Sequence, residues 1–319
     1  MTSTPIDAAG AALLLRGAED IHILTHTSPD GDTLGSGFGL CRALRALGKR
    51  AQVLCADPIP EKYRYMIPEE QHFSPSFLCA VDVADPQLLG AYADLAESVT
   101  LAIDHHPSHT GYASHLLLRS DYGAASMAVL EVIDALGVPI DADMAACLYT
   151  GIATDTGCFK YPNTTPKTHL MAARLMECGA PAGAINREMF DMKSRARLEI
   201  ERQALAGIRF AFRDRCAVMT ITRKMIAEAG AAEGDLEGLA PLPRQIEGVW
   251  VGVTMREKED GRYKVSLRTG NHADASQICA RLGGGGHVRA AGCTVCGTAQ
   301  EAVDTVLSAI LAELPEIDA

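Results

Sequence analysis

The chain has 319 residues, 48% hydrophobic and 22% charged, which fits two ordinary globular domains and excludes a disordered or fibrous protein. Its net charge of −11 is unevenly spread: residues 1–186 hold 11 Lys and Arg against 21 Asp and Glu, residues 187–319 hold 18 against 19. An acidic protein is a poor binder of long or duplex nucleic acid, which is gripped through many cationic contacts. No apolar run is long enough to cross a bilayer and the N-terminus carries no secretion signal, so a cytoplasmic protein without membrane contact is expected.

Along the chain, "IHILTH" reads as a buried strand ending in the polar stretch "HTSPDGD", residues 26–32. A helix follows from about Thr33, with Leu34, Phe38, Cys41, Leu44 and Leu47 on one face and Gly48 as its stop. "AQVLCA" and "FLCAVDVAD" are the next strands, Pro86 opens a helix running to about Ser98, and "VTLAIDHH" is a fourth strand. Three helices come next, in "GAASMAVLEVIDALG", "DADMAACLYTGIATDT" and "TPKTHLMAARLMECG", the last with Thr165 as N-cap and Pro166 at its first position. This alternation predicts an α/β domain over 1–185, a mostly parallel sheet flanked by helices. A charged linker helix is expected over 186–200. Strands in "IRFAF", "CAVMTIT", "VWVGVTMRE" and "RYKVSLRT" then suggest a smaller mixed α+β domain over 201–319.

The ten cysteines are scattered, mostly inside apolar patterns, and read as small buried hydrophobes in a reducing compartment. Cys293 and Cys296 have a metal-like spacing, but no second pair supports it and the intervening Thr-Val suits a strand.

Ligands of open α/β sheets sit beyond the C-terminal strand ends. Three strands here end in His26, Asp30 and Asp32, in Asp82, and in Asp104, His105 and His106, while Asp155 ends a helical pattern among Gly and Thr. Any one of these is ordinarily a turn residue or a cap. Together they suit divalent ions such as Mn, Fe, Co or Zn, and six or more ligands point to two ions sharing a carboxylate, as in phosphate-ester cleavage. Gly31 would let the chain turn tightly between the two Asp residues. "GGGGH", residues 283–287, reads either as a flexible loop or as a phosphate cradle, since "VRAAG" after it could start a helix whose N-terminus favours an anion.

In this order and spacing, "HTSPDGD", "VDVAD", "DHH" and "GIATDTGCF" resemble the four motifs of the DHH phosphoesterase superfamily. "YKVSLRT…GGGGHVRAAGC" is similar to its DHH-associated C-terminal nucleotide-binding domain, and "CFKYPNTTPKTH" narrows the likeness to bifunctional oligoribonuclease/3′-phosphoadenosine-5′-phosphate (PAP) phosphatases. The resemblance implies one ion, most simply Mn2+, on His26, Asp30 and Asp82, and a second on Asp32, Asp82, His105 and Asp155. It makes His106 the group that contacts phosphate or protonates the departing oxygen, and Asp104 the residue that orients the histidines. Arg268, Gly284, Gly285, Gly286 and His287 would hold the far end of the substrate, with Ser126 lining the site, or serving only as a small residue at a packed helix start. The implied enzyme degrades very short oligoribonucleotides and dephosphorylates PAP to AMP in a cleft between its domains, with a homodimer open as its assembly. Pro86 and Ser108-His109 depart from the residues common at those positions, which bears on substrate detail rather than on the ligands. The rivals are a phosphodiesterase for pApA or cyclic dinucleotides, a manganese inorganic pyrophosphatase, and a nucleotide sensor without catalysis.

Overall fold

Buried apolar stretches at 21–24, 79–81 and 101–103 lie side by side at the centre of a parallel sheet, in a computed structural model that describes residues 3–318. The chain divides into two units, Met1–Met192 and Lys193–Ala319. In the first, the strands are β1 (Thr4–Pro5), β2 (Asp20–Leu24), β3 (Arg50–Leu54), β4 (Phe77–Val81), β5 (Leu101–Asp104) and β6 (His115–Leu118). Their order is β1-β6-β5-β4-β2-β3, every pair parallel. The two-residue edge strand β1 and the short β6 beside it were not expected from the apolar pattern, because strands this short carry too little periodicity to register.

The helices are α1 (Ala8–Gly17), α2 (Gly31–Ala46), α3 (Ala125–Ala135), α4 (Ala142–Asp155), α5 (Pro166–Glu177) and α6 (Ala182–Asn186). Residues Ile21, Ile23, Val81 and Ile103 pack on one side of the sheet with α1–α4, while Leu24, Leu78, Ala80 and Ala102 pack on the other against Leu89, Ala96 and Val99. Both faces are covered, which is why the strands read as continuous apolar runs. α5 begins as expected: Thr165 and Thr168 form a reciprocal cap and Pro166 occupies the first turn. The segment Pro86–Ser98 is instead a run of 3-10 turns broken at Gly90, whose φ of 57° is left-handed and where a β-carbon would lie 2.3 Å from the Thr27 side chain.

The charged stretch expected as one linker helix over 186–200 is broken. A single π-helical turn at Arg187–Asp191 follows α6, Met192 is extended, and Ser194 caps a new helix, α7 (Arg195–Ala206), by accepting from the Arg197 N–H. The second unit continues with β7 (Arg209–Ala211), β8 (Cys216–Ile221), α8 (Arg223–Ala229), β9 (Val251–Glu257), β10 (Tyr263–Thr269), α9 (Ala275–Ala280), β11 (Gly285–His287), β12 (Ala290–Val295) and α10 (Ala299–Glu313). Its sheet runs β11-β12-β10-β9-β8-β7, antiparallel except for β8–β9. Val251, Val253, Val265, Leu267 and Cys293 face α9 and α10, giving this unit its own core. "VRAAG" is therefore not a helix start: Ala290, Ala291 and Gly292 open β12, and the glycine run pairs with it as an edge strand.

Candidate metal centre

Strand order reverses between β2 and β4, since β3 lies outside β2 on one side and β5 outside β4 on the other. The polar ends of β2, β4 and β5 meet there, as the crevice rule for open α/β sheets requires. Asp82 follows β4 with φ 58°, a left-handed backbone that Asp tolerates better than most residues, held by its N–H donating to the Ile103 carbonyl at 2.9 Å. Its side chain is buried. Oδ2 faces His26 Nε2 at 3.6 Å and Oδ1 faces His105 Nε2 at 3.6 Å, so one carboxylate looks toward two imidazoles.

Three ligand-capable groups meet here among the described residues: His26, Asp30 and Asp82; Asp32, His105 and Asp155; and Asp82, Asp104, His105 and His106, each with donor atoms within 4.8 Å of one another. His26 presents Nε2 because its Nδ1 contacts the Thr27 carbonyl at 2.8 Å, and His105 does likewise through the Tyr122 carbonyl at 3.1 Å. Asp30 caps α2, accepting from the Asp32 and Thr33 N–H groups at 3.0 and 3.1 Å. Asp32 turns the other way and takes the N–H groups of Ala125 and Ser126, at 2.6 and 3.0 Å. It thereby supplies the cap that Ala124 cannot give α3, and the positive helix end favours its charge.

Gly31 does not make a special turn, because its φ is not left-handed. It is glycine because a β-carbon there would lie 2.4 Å from the Thr154 side chain on α4. Gly151 on α4, the first residue of "GIATDTGCF", has the same kind of role: a β-carbon would lie 2.7 Å from Asp32 Oδ1 and closer still to Ser126 Oγ. Ser126 is fully buried, its Oγ 3.0 Å from Ser36 Oγ, so it seats Asp32 rather than lining a substrate surface.

Asp104 is buried, and its Oδ1 accepts from the backbone N–H groups of His105 and His106 and contacts His106 Nδ1 at 2.9 Å. That leaves His106 Nε2 free on a ring that is 44% exposed. Burial pushes Asp82 well above the ordinary carboxylate range, with Asp32 adding to it, and pushes Asp155 up to about 8 for the same reasons. At His26 burial would lower the imidazole, but Asp30 and Asp82 outweigh it and raise the ring to about 11. His106 is raised to about 9, first by its bond to Asp104.

Crowded carboxylates of this kind call for cations. Asp82 Oδ1 and His105 Nε2 are buried without a hydrogen-bond partner, and the donor set mixes carboxylate and imidazole, so these residues fit two divalent ions. Asp104 has its Oδ1 occupied by three nitrogen contacts, which orients His106, while its Oδ2 is buried without a hydrogen-bond partner like Asp82 Oδ1.

In the second unit, register aligns Gly252, Arg268, Ala290 and His287 in one row across β9, β10, β12 and β11. Directly opposed residues of antiparallel strands share a face, so Arg268 and His287 stand on the same side with small residues between and beside them. Gly284 and Gly286 are explained by packing, since β-carbons there would strike Gly292 and Ala291, whereas Gly285 faces open space. Cys293 and Cys296 lie on β12 and just after it, among free cysteines.

Residues 20–152 match the DHH family, N-terminal domain, and residues 214–316 match the DHHA1 domain. The chain is 35% identical over 302 residues to the bifunctional oligoribonuclease and PAP phosphatase NrnA of Thermus thermophilus, covering 92% of this chain and 90% of that protein. It is 22% identical over 277 residues to the protein of the same name from Bacillus subtilis, covering 85% and 87%. Among solved structures, an exopolyphosphatase-related protein from Bacteroides fragilis superposes with a TM-score of 0.88 at 23% identity, covering 98% and 97% of the two chains. RecJ from Thermus thermophilus in complex with Mn2+ shares the fold with a TM-score of 0.56 at 14% identity, covering 97% of this chain and 55% of that one. With a relative this similar along nearly its whole length, the chain belongs to the DHH phosphoesterase superfamily, in the family of bifunctional oligoribonuclease and PAP phosphatase proteins.

Proposed function

We propose that this protein hydrolyses very short oligoribonucleotides to mononucleotides and removes the 3′-phosphate of PAP, using two divalent ions, with Mn2+ as the native metal. The observation that carries this reading is Asp82, whose two carboxylate oxygens face His26 on one side and His105 on the other. His26, Asp30 and Asp82 would hold one ion and Asp32, Asp82, His105 and Asp155 the other. Bound there, the ions would supply an activated water and charge neutralisation at the scissile phosphate. His106, held through Nδ1 by Asp104 at 2.9 Å, would direct its Nε2 at the phosphate or at the departing oxygen. Thr27 and Tyr122 carbonyls hold the two ligand imidazoles in the required tautomer.

Arg268 and His287 are the groups we assign to the substrate end away from the metals. The 5′- and 3′-phosphates of PAP stand where the 5′-phosphate and the internucleotide phosphate of a 5′-phosphorylated dinucleotide stand, which reconciles the two activities in one site. The acidic balance of the chain disfavours long or duplex RNA. Ten free cysteines fit a reducing, cytoplasmic place of work, and no described helix is long and apolar enough to cross a membrane. A homodimer is part of this reading and is open to sedimentation.

Asp155→Ala and Asp82→Asn should each lower turnover of pApA, dinucleotides and PAP by more than the roughly 10–100-fold typical of outer ligand partners, with the fold intact by circular dichroism. Near-normal activity of either variant would remove the assignment. Release of AMP from the three substrates, compared with Mn2+, Co2+ and Mg2+, ranks substrates and metals together.

A further inference from the structure

Arg244 stands in a 3-10 turn, Leu242–Gln245, that packs on β9 on the sheet face opposite α9 and α10, where Leu242 joins an apolar cluster with Met219 and Ile221. Thr254 on β9 ties this segment down by donating to the Ala240 carbonyl at 3.1 Å. The guanidinium makes no ion pair and no side-chain hydrogen bond with any described residue, and its Nε is buried without a partner. A desolvated cationic donor left so costs free energy unless something outside the protein satisfies it.

Two glycines make room for it. Gly252 and Gly270 have no left-handed φ, so conformation does not require glycine at either. A β-carbon on Gly252 would lie 2.5 Å from the Arg244 backbone nitrogen, and one on Gly270 would lie 2.5 Å from Arg244 Nη2. The space has been cleared for this side chain. Arg268 is directly opposite Gly252 in the β9–β10 register and two residues before Gly270, so it stands on the same face as the Arg244 guanidinium. Arg268 uses one nitrogen on its neighbour's carbonyl, Nη1 to Leu267 at 2.9 Å, and pairs with no carboxylate. Two guanidiniums on one sheet face, neither paired with a carboxylate among the described residues, suit an anion, and the fork geometry of arginine matches the oxygens of phosphate.

We propose that Arg244, together with Arg268, binds a terminal phosphate monoester of a nucleotide on the second unit. The assignment deepens the proposed function and rests on it for the identity of the ligand as a nucleotide. It does not depend on the metal centre or on hydrolysis.

The test uses the full-length protein stripped of metal with chelator, titrated calorimetrically with AMP and with adenosine. AMP should bind more tightly than adenosine, and Arg244→Gln should weaken AMP about tenfold, the scale of a lost charged hydrogen bond, while leaving adenosine unchanged. Gly270→Ala should do the same by displacing the guanidinium, with the melting temperature reporting that both variants are folded. If one variant fails to fold, the other carries the measurement. The proposal is overturned if the wild type does not distinguish AMP from adenosine, if the variants bind AMP normally, or if they weaken both ligands alike. Phosphate-dependent binding by a protein that hydrolyses none of the three substrates would sink the proposed function and leave this site standing.

Discussion

Asp82, Asp155 and His26 share one electrostatic predicament. Burial first, and Asp32 with it, hold Asp82 and Asp155 above the carboxylate range, while Asp30 and Asp82 outweigh burial to hold His26 at about 11, so the metal-free cluster retains protons at neutral pH. An imidazole must be neutral and a carboxylate ionised to ligate, and metal binding must therefore expel those protons. Titrating Mn2+ into metal-free protein near pH 7 in weak buffer should acidify the solution, and affinity should fall as pH is lowered from about 8 to about 6. An affinity that does not vary over that interval would count against these residues as ligands. Gly31 shows how local logic can mislead at this scale: its spacing suits a turn, yet what forbids a side chain is Thr154, more than a hundred positions away in sequence.

Helices α2 and α4 approach closely at Gly35, where a β-carbon would lie 2.4 Å from the Cys147 carbonyl and 3.0 Å from the Gly151 nitrogen. Both neighbours are backbone, so Gly35→Ala must push the helices apart and should destabilise by about 1–3 kcal/mol in thermal or denaturant unfolding. Because Asp32 and Asp155 sit on these two helices, the same variant should weaken metal binding as well. A second element-level device ties the segment after β6 and the start of α5 to α3: Glu131 on α3 accepts from Tyr122 and binds Arg119 and Lys167 at 3.2 and 2.8 Å. Burial alone would raise the Glu131 carboxyl, but Lys167, Tyr122 and Arg119 together hold it below its usual range. A lowered carboxylate stabilises the fold above the unfolded-state pKa and loses that contribution as pH falls through the folded one. Glu131→Gln should therefore melt earlier than wild type at neutral pH, and the gap should close on acidification. A gap that persists unchanged in acid would show that charge is not its source.

Each of the two units has its own core, one around the parallel sheet and one between the mixed sheet and α9–α10. Residues 1–192 and 193–319, expressed separately, should each unfold cooperatively, and only the first should bind Mn2+. Metal binding by the second fragment would contradict the ligand assignment.

The sequence by itself determined the strand–helix alternation, the N-terminal cap of α5, and the acids and imidazoles that the fold brings together at the candidate site. Those features are written in contiguous residues: apolar runs, capping residues, and polar groups ending a strand. Tertiary structure alone decided which way each side chain serves. It assigned Asp30 to its own helix and Asp32 to the N-terminus of α3, buried Ser126 behind Asp32, and turned the stretch after the glycines into strand β12. It also paired Gly252 and Gly270 with Arg244. The reason is physical. Periodicity records which face of an element is apolar, whereas a glycine kept for space, or a carboxylate capping another helix, depends on atoms brought near only by the packed fold.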